Sequence, residues 1–117
     1  MRKRPSSRRV TKATPLPEAD AARRLSAREA RSRLQGLGGW TLKGGGIRKA
    51  YEFGDFLAAM RFVNRVASAA ERACHHPDID IRWNRVLLTL TTHDAGGLTS
   101  RDFALAGSCD RLAAAIS

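Results

Sequence analysis

Apolar and polar positions repeat with two different periods along this chain, and the switches between them divide it into elements. Ser26 and Glu29 form a Ser-x-x-Glu capping box, so the first helix is predicted to begin at Ser26. Leu25, Ala30, Leu34 and Leu37 give its apolar stripe, and Gly36, Gly38 and Gly39 stop it. Trp40 to Lys43 reads as a short strand, Gly44-Gly45-Gly46 as a turn, and Ile47 to Phe53 as the returning strand. Ile47, Lys49, Tyr51 and Phe53 fall on one face of that strand.

From Asp55 to about Cys74 the period becomes helical. One strip holds Phe56, Met60, Val63, Ala67 and Ala70; a second holds Phe62, Val66, Ala69 and Ala73. A helix apolar on two sides is expected to pack on a sheet and also on another helix or subunit. Pro77 ends it and swings His76 out of helical register, so His75 and His76 should point in different directions.

Asp78 to Arg82 is a short linker or strand. Trp83 to His93 alternates as a strand, with Val86, Leu88 and Leu90 on one face. Arg85, Leu87, Thr89, Thr91 and His93 take the other. Gly96-Gly97 breaks the strand, and Thr99 with Asp102 caps a last helix whose buried face includes Phe103, Ala106, Leu112 and Ile116. The order helix, hairpin, long helix, two strands, helix predicts an α+β fold with helices on one face of an antiparallel sheet.

Charge and composition then set the boundaries. Residues 1–17 hold six bases and no acid, while residues 18–117 hold fifteen bases and eleven acids. The +10 net charge is therefore mostly a property of a Pro- and Ser-containing tail, and disorder is expected for residues 1–20. Residues 21–117 form the expected single domain. The tail is compatible with weak nucleic-acid contact, with an organelle-targeting peptide, or with a solvated extension. No apolar run approaches 18 residues, which excludes a transmembrane helix. Cys74 and Cys109 form no paired-spacing motif, which fits a reducing, cytoplasmic setting. The glycine triplet lacks the Lys-Ser/Thr and the following helix that a phosphate loop requires.

The candidate chemistry lies in Glu71, His75, His76, Trp83, His93 and Asp102, a set that contains all three histidines. A metal site is disfavoured because adjacent histidines at a helix end diverge and no His-Glu-x-x-His run is present. Acid–base chemistry fits better, since imidazole exchanges protons near physiological pH. Taken singly, Trp83 reads as a packing residue and Asp102 as a helix N-terminal acid.

The flanking runs Ala-Glu-x-x-x-His-His-Pro-Asp from Ala70 and Leu-Thr-Leu-Thr-Thr-His-Asp-x-Gly-Gly-Leu-Thr-x-x-Asp from Leu88 resemble the pterin-4a-carbinolamine dehydratase family. Gly39-Trp40 and Phe53-Gly-Asp-Phe56 are similar to that family too, so the resemblance spans roughly residues 25–115. It implies a two-layer sandwich with a four-stranded antiparallel sheet, assembled as a homodimer or homotetramer. It also implies loss of water from a 4a-hydroxytetrahydropterin in the recycling of the pterin of aromatic amino-acid hydroxylases, with no metal and no bound cofactor. The resemblance makes His75, His76 and His93 the catalytic histidines, without saying which is acid and which base. It places Thr92 and Asp94 beside the pterin, with Glu71 and Asp102 as supporting acids. Cys74 stands where the family more often has a small polar residue, at a substrate-contact position. A second expectation is a protein-interaction module, since members of the family also bind other proteins.

Overall fold

The computed structural model describes residues 22–116. The tail expected over residues 1–20 lies outside them. The described elements are α1 (Ala27–Leu34), β1 (Thr41–Lys43), β2 (Gly46–Glu52), α2 (Phe56–Ala73), β3 (Asp78–Arg82), β4 (Arg85–Leu90) and α3 (Ser100–Ala114). The four strands form one antiparallel sheet in the order β1-β2-β4-β3. Asp78–Arg82, open between linker and strand in the sequence, is an edge strand.

The register shows how alternation builds a two-layer fold. Ile47 pairs with Leu90, Lys49 with Leu88 and Tyr51 with Val86 across β2 and β4. Residues directly opposite share a face. That face therefore presents Ile47, Tyr51, Val86, Leu88 and Leu90 to the helices, where they share one core with Phe62, Val66, Leu105 and Ala106. The other face carries Arg48, Ala50, Glu52, Arg85, Leu87 and Thr89.

Asp55 caps α2 by accepting from the Ala58 N–H at 2.8 Å. Of the two apolar strips on α2, the one through Phe62 and Val66 reaches the core, joined by Ala59 and Ala70. Phe56 is 46% exposed and Ala67 faces solvent, so the other strip leaves the core along part of its length. Ser26 and Glu29 make the expected reciprocal cap on α1. The Arg23 guanidinium bonded to Glu29 and the Ser26 backbone N–H together hold that carboxyl down at about 2.

β1 and β2 shift by a single residue from the sequence reading, and β4 is shorter at both ends. β4 begins at Arg85 because Trp83 and Asn84 form the turn of the β3–β4 hairpin. Trp83 has a left-handed φ of 53° and is 66% exposed, so it is not the packing residue expected from its type. At the other end the strand stops at Leu90, and His93–Ala95 winds into a 3-10 turn closed by Gly96 at a φ of 74°. His93 therefore opens a turn beyond the strand instead of ending the strand itself.

Asp110 ties α3 to the sheet. Its carboxylate accepts from Trp40 Nε1 at 3.1 Å, Lys49 Nζ at 2.9 Å and Tyr51 Oη at 2.5 Å. Burial and the Asp110 charge push the Tyr51 phenol above its ordinary value of 10, so it stays protonated and donates. The β1–β2 turn has a tighter constraint. A Cβ at Gly46 would stand 2.7 Å from the Leu90 carbonyl oxygen. Gly46→Ala is expected to cost about 1–3 kcal/mol in chemical denaturation, the range for overpacking. Unchanged stability would mean that the β2–β4 pairing gives way at Leu90.

Candidate active site

Three elements converge on one buried carboxylate. The first is the end of α2. Pro77 disfavours helical backbone at His76, and Cys74 closes the helix in the left-handed region at a φ of 51°. The chain reverses there, and the two histidines part. His75 turns inward and is 8% exposed; His76 turns outward.

The second element is the run beyond β4, where Thr92 is buried and bridged to Gly97. The third is the N-terminus of α3. Thr99 and Asp102 form its capping box, and the Asp102 side chain is fully buried. Asp102 Oδ1 lies 2.6 Å from His75 Nε2, while Oδ2 accepts from Thr92 Oγ1 at 2.8 Å and from the Thr99 N–H at 2.9 Å. Thr92 and Thr99 hydroxyls are themselves 2.8 Å apart. Asp102 is thus both the cap of α3 and the partner of an inward histidine.

The remaining candidates lie outside that network. His76 Nε2 meets Glu71 Oε2 at 2.5 Å on the exposed side of α2. His93 and Asp94 are exposed, joined to the network through the chain neighbour Thr92. A groove of about 620 Å³ between α2 and α3 is lined by Arg72, Cys74, His75, Arg101 and Ser108. Its size is within the range of small-molecule sites. A second concavity of about 500 Å³ lies on the open sheet face, where Arg48, Arg82 and Arg85 line it, away from the histidines.

Sequence reasoning assigned Thr99 only to capping and did not single out Arg72 or Arg101. The capping box was the available signal, because the same Thr-x-x-Asp spacing brings Thr99 to the carboxylate that His75 meets.

The two thiols differ in access. Cys74 is exposed; Cys109 is buried, and burial with the adjacent Asp110 charge pushes its thiol up to about 12. A thiol reagent at neutral pH is expected to label one cysteine quickly in the folded chain, Cys74, and Cys109 only on unfolding. Two fast equivalents would contradict the buried setting of Cys109.

The sequence signature described as Pterin 4 alpha carbinolamine dehydratase matches residues 23–112. The chain belongs to that family. Among its relatives, a protein of Acidobacterium capsulatum provisionally named pterin-4-alpha-carbinolamine dehydratase is 57% identical over 88 residues, covering 75% of this chain and 96% of the relative. A Roseiflexus protein with the same provisional name is 55% identical over 91 residues, covering 78% and 98%. The crystal structure of a transcriptional coactivator/pterin dehydratase from Brucella melitensis superposes with a TM-score of 0.74 at 35% identity, covering 77% of this chain and 98% of that one. A pterin dehydratase-like protein described as a RuBisCO assembly factor in the alpha-carboxysome superposes at 0.53 with 25% identity, covering 63% and 86%. The dehydratase family match takes in His75, Thr92, Thr99 and Asp102 and all but the last two residues of the elements that bring them together.

Proposed function

We propose that this chain dehydrates a 4a-hydroxytetrahydropterin to the quinonoid dihydropterin by proton transfer through imidazole side chains. The observation that carries this reading is the buried His75–Asp102 pair, with His76 next to His75 in the chain and His93 next to Thr92, in a family whose relatives are provisionally named as dehydratases. The C4a–oxygen bond breaks, the hydroxyl leaves as water after gaining a proton, and the N5 proton is given up. One imidazolium and one imidazole supply and accept these protons. The reaction changes no oxidation state, so we assign it no redox cofactor, and because the inward His75 and outward His76 diverge we assign it no metal.

His75, held by Asp102, is the fixed member of the trio. His76 and His93 are exposed side chains that contact the pterin from the solvent side, with Glu71 orienting His76 and Asp94 at the rim. Cys74 lines the groove beside His75 and is a contact for the ring. We place the activity in the recycling of a hydroxylase's pterin. Its test is acceleration of the decay of a 4a-hydroxytetrahydropterin generated in situ, followed by absorbance. A rate equal to the spontaneous one would remove the proposal.

The outer side of α2 supports self-association as a homodimer or homotetramer. Phe56 is 46% and Leu57 65% exposed, side by side at the start of the helix. Sedimentation of the full chain tests this, and a monomer at micromolar concentration would rule it out.

A further inference from the structure

We propose that His75 offers its ligand Nδ1 and not Nε2, and that Thr92, backed by Thr99, is a positioning residue that enforces this choice. The inference about catalysis rests on the dehydratase reading; the inference about the proton does not. It follows from placing each hydrogen in the buried network. The Thr99 backbone N–H can only donate, so Asp102 Oδ2 is an acceptor. Thr92 Oγ1 has one hydrogen, and its 2.8 Å contact with the Asp102 carboxylate uses it. The 2.8 Å contact between the two hydroxyls must then be donated by Thr99. Thr99 Oγ1 accepts in turn from the Arg101 N–H at 3.2 Å. Every bond runs one way, from the first turn of α3 through two threonines to Oδ2.

Oδ2 is therefore committed to the threonines, and only Oδ1 is left for His75. A carboxylate oxygen accepts, so Nε2, 2.6 Å away, must carry a hydrogen. A neutral imidazole has one N–H and one lone pair, which leaves the lone pair on Nδ1. His75 also lines the groove between α2 and α3, so the nitrogen not held by Asp102 is the one available to a molecule bound there. His76 differs: its Nε2 meets Glu71 in an exposed pair, with no such one-way chain behind it.

The experiment combines nitrogen-15 NMR of the imidazoles with dehydration kinetics on the full chain. With the imidazole neutral, wild type is expected to show the Nε2–H tautomer. Asp102→Asn is the decisive variant. The Thr99 N–H keeps the carboxamide oxygen at the Oδ2 position, which turns the NH₂ toward His75 and forces its proton to Nδ1. The tautomer should switch, and kcat should fall by roughly 10³- to 10⁴-fold, as when an orienting aspartate is amidated behind a catalytic histidine. Thr92→Val should lower kcat about tenfold with KM unchanged, the worth of one bond to a charged group, and Thr92→Ser should restore it. An Nδ1–H tautomer in wild type, or an Nε2–H tautomer surviving in Asp102→Asn, overturns the assignment. Wild-type kcat in Thr92→Val overturns the positioning role. Absence of dehydration in a wild type that shows Nε2–H retires the dehydratase reading and leaves the tautomer assignment in place.

Discussion

Asp102→Ala is expected to destabilise the folded chain by about 3–5 kcal/mol, the cost of leaving several buried donors without the carboxylate that accepts from them. At about 4–8 °C per kcal/mol for a domain of this size, its melting temperature should drop by roughly 12 °C or more. The physical reason is what the carboxylate leaves behind. His75 Nε2, the Thr92 hydroxyl and the Thr99 N–H all aim at Asp102, and alanine orphans all three away from water. It also removes half of the capping box that starts α3. Asp102→Asn keeps the shape and should cost much less. Thermal denaturation of the two variants beside wild type measures the difference. A drop of only a few degrees in the alanine variant would mean that the site rearranges to recover its donors.

The second large effect separates chemistry from folding. His75→Ala and His93→Ala are each expected to lower the enzymatic acceleration of dehydration by about 10²- to 10⁴-fold, the usual worth of a positioned acid or base. Their stabilities should differ. His93 is exposed on a short turn, so its alanine variant should melt within a degree or two of wild type. His75 is 8% exposed and bonded to a buried carboxylate, so its alanine variant should lose stability as well as rate. His93→Ala is thus the cleaner probe of mechanism. Wild-type kinetics in that variant would remove His93 from the reaction and leave proton transfer to His75 and His76.

Much of this arrangement was readable from local rules. Pro77 after a histidine doublet was enough to send His75 and His76 apart, because the restriction acts on the neighbouring backbone whatever the rest of the fold does. The two capping boxes were readable for the same reason: their partners lie three residues apart. Strand alternation assigned Val86, Leu88 and Leu90 to the core face correctly. What escaped depended on distant neighbours. Two apolar strips on α2 are equivalent until the sheet selects the one through Phe62 and Val66. Asp102 was legible as a cap and, by resemblance, as a supporting acid, but nothing local showed that His75 meets it from another element. Asp110 gave no signal at all, because its donors Trp40, Lys49 and Tyr51 lie 59 to 70 residues earlier in the chain. Trp83 was misread because residue type predicts burial on average, and a hairpin tip with a left-handed backbone overrides that average.

The double duty of Asp102 couples events that many proteins keep separate. One carboxylate nucleates the last helix and secures the inward imidazole, so a chain with a frayed α3 cannot hold His75 in place. Partial opening of that first turn would switch the site off before the core comes apart. The catalytic geometry is in this sense a late product of folding, and inactivation on warming should precede global melting.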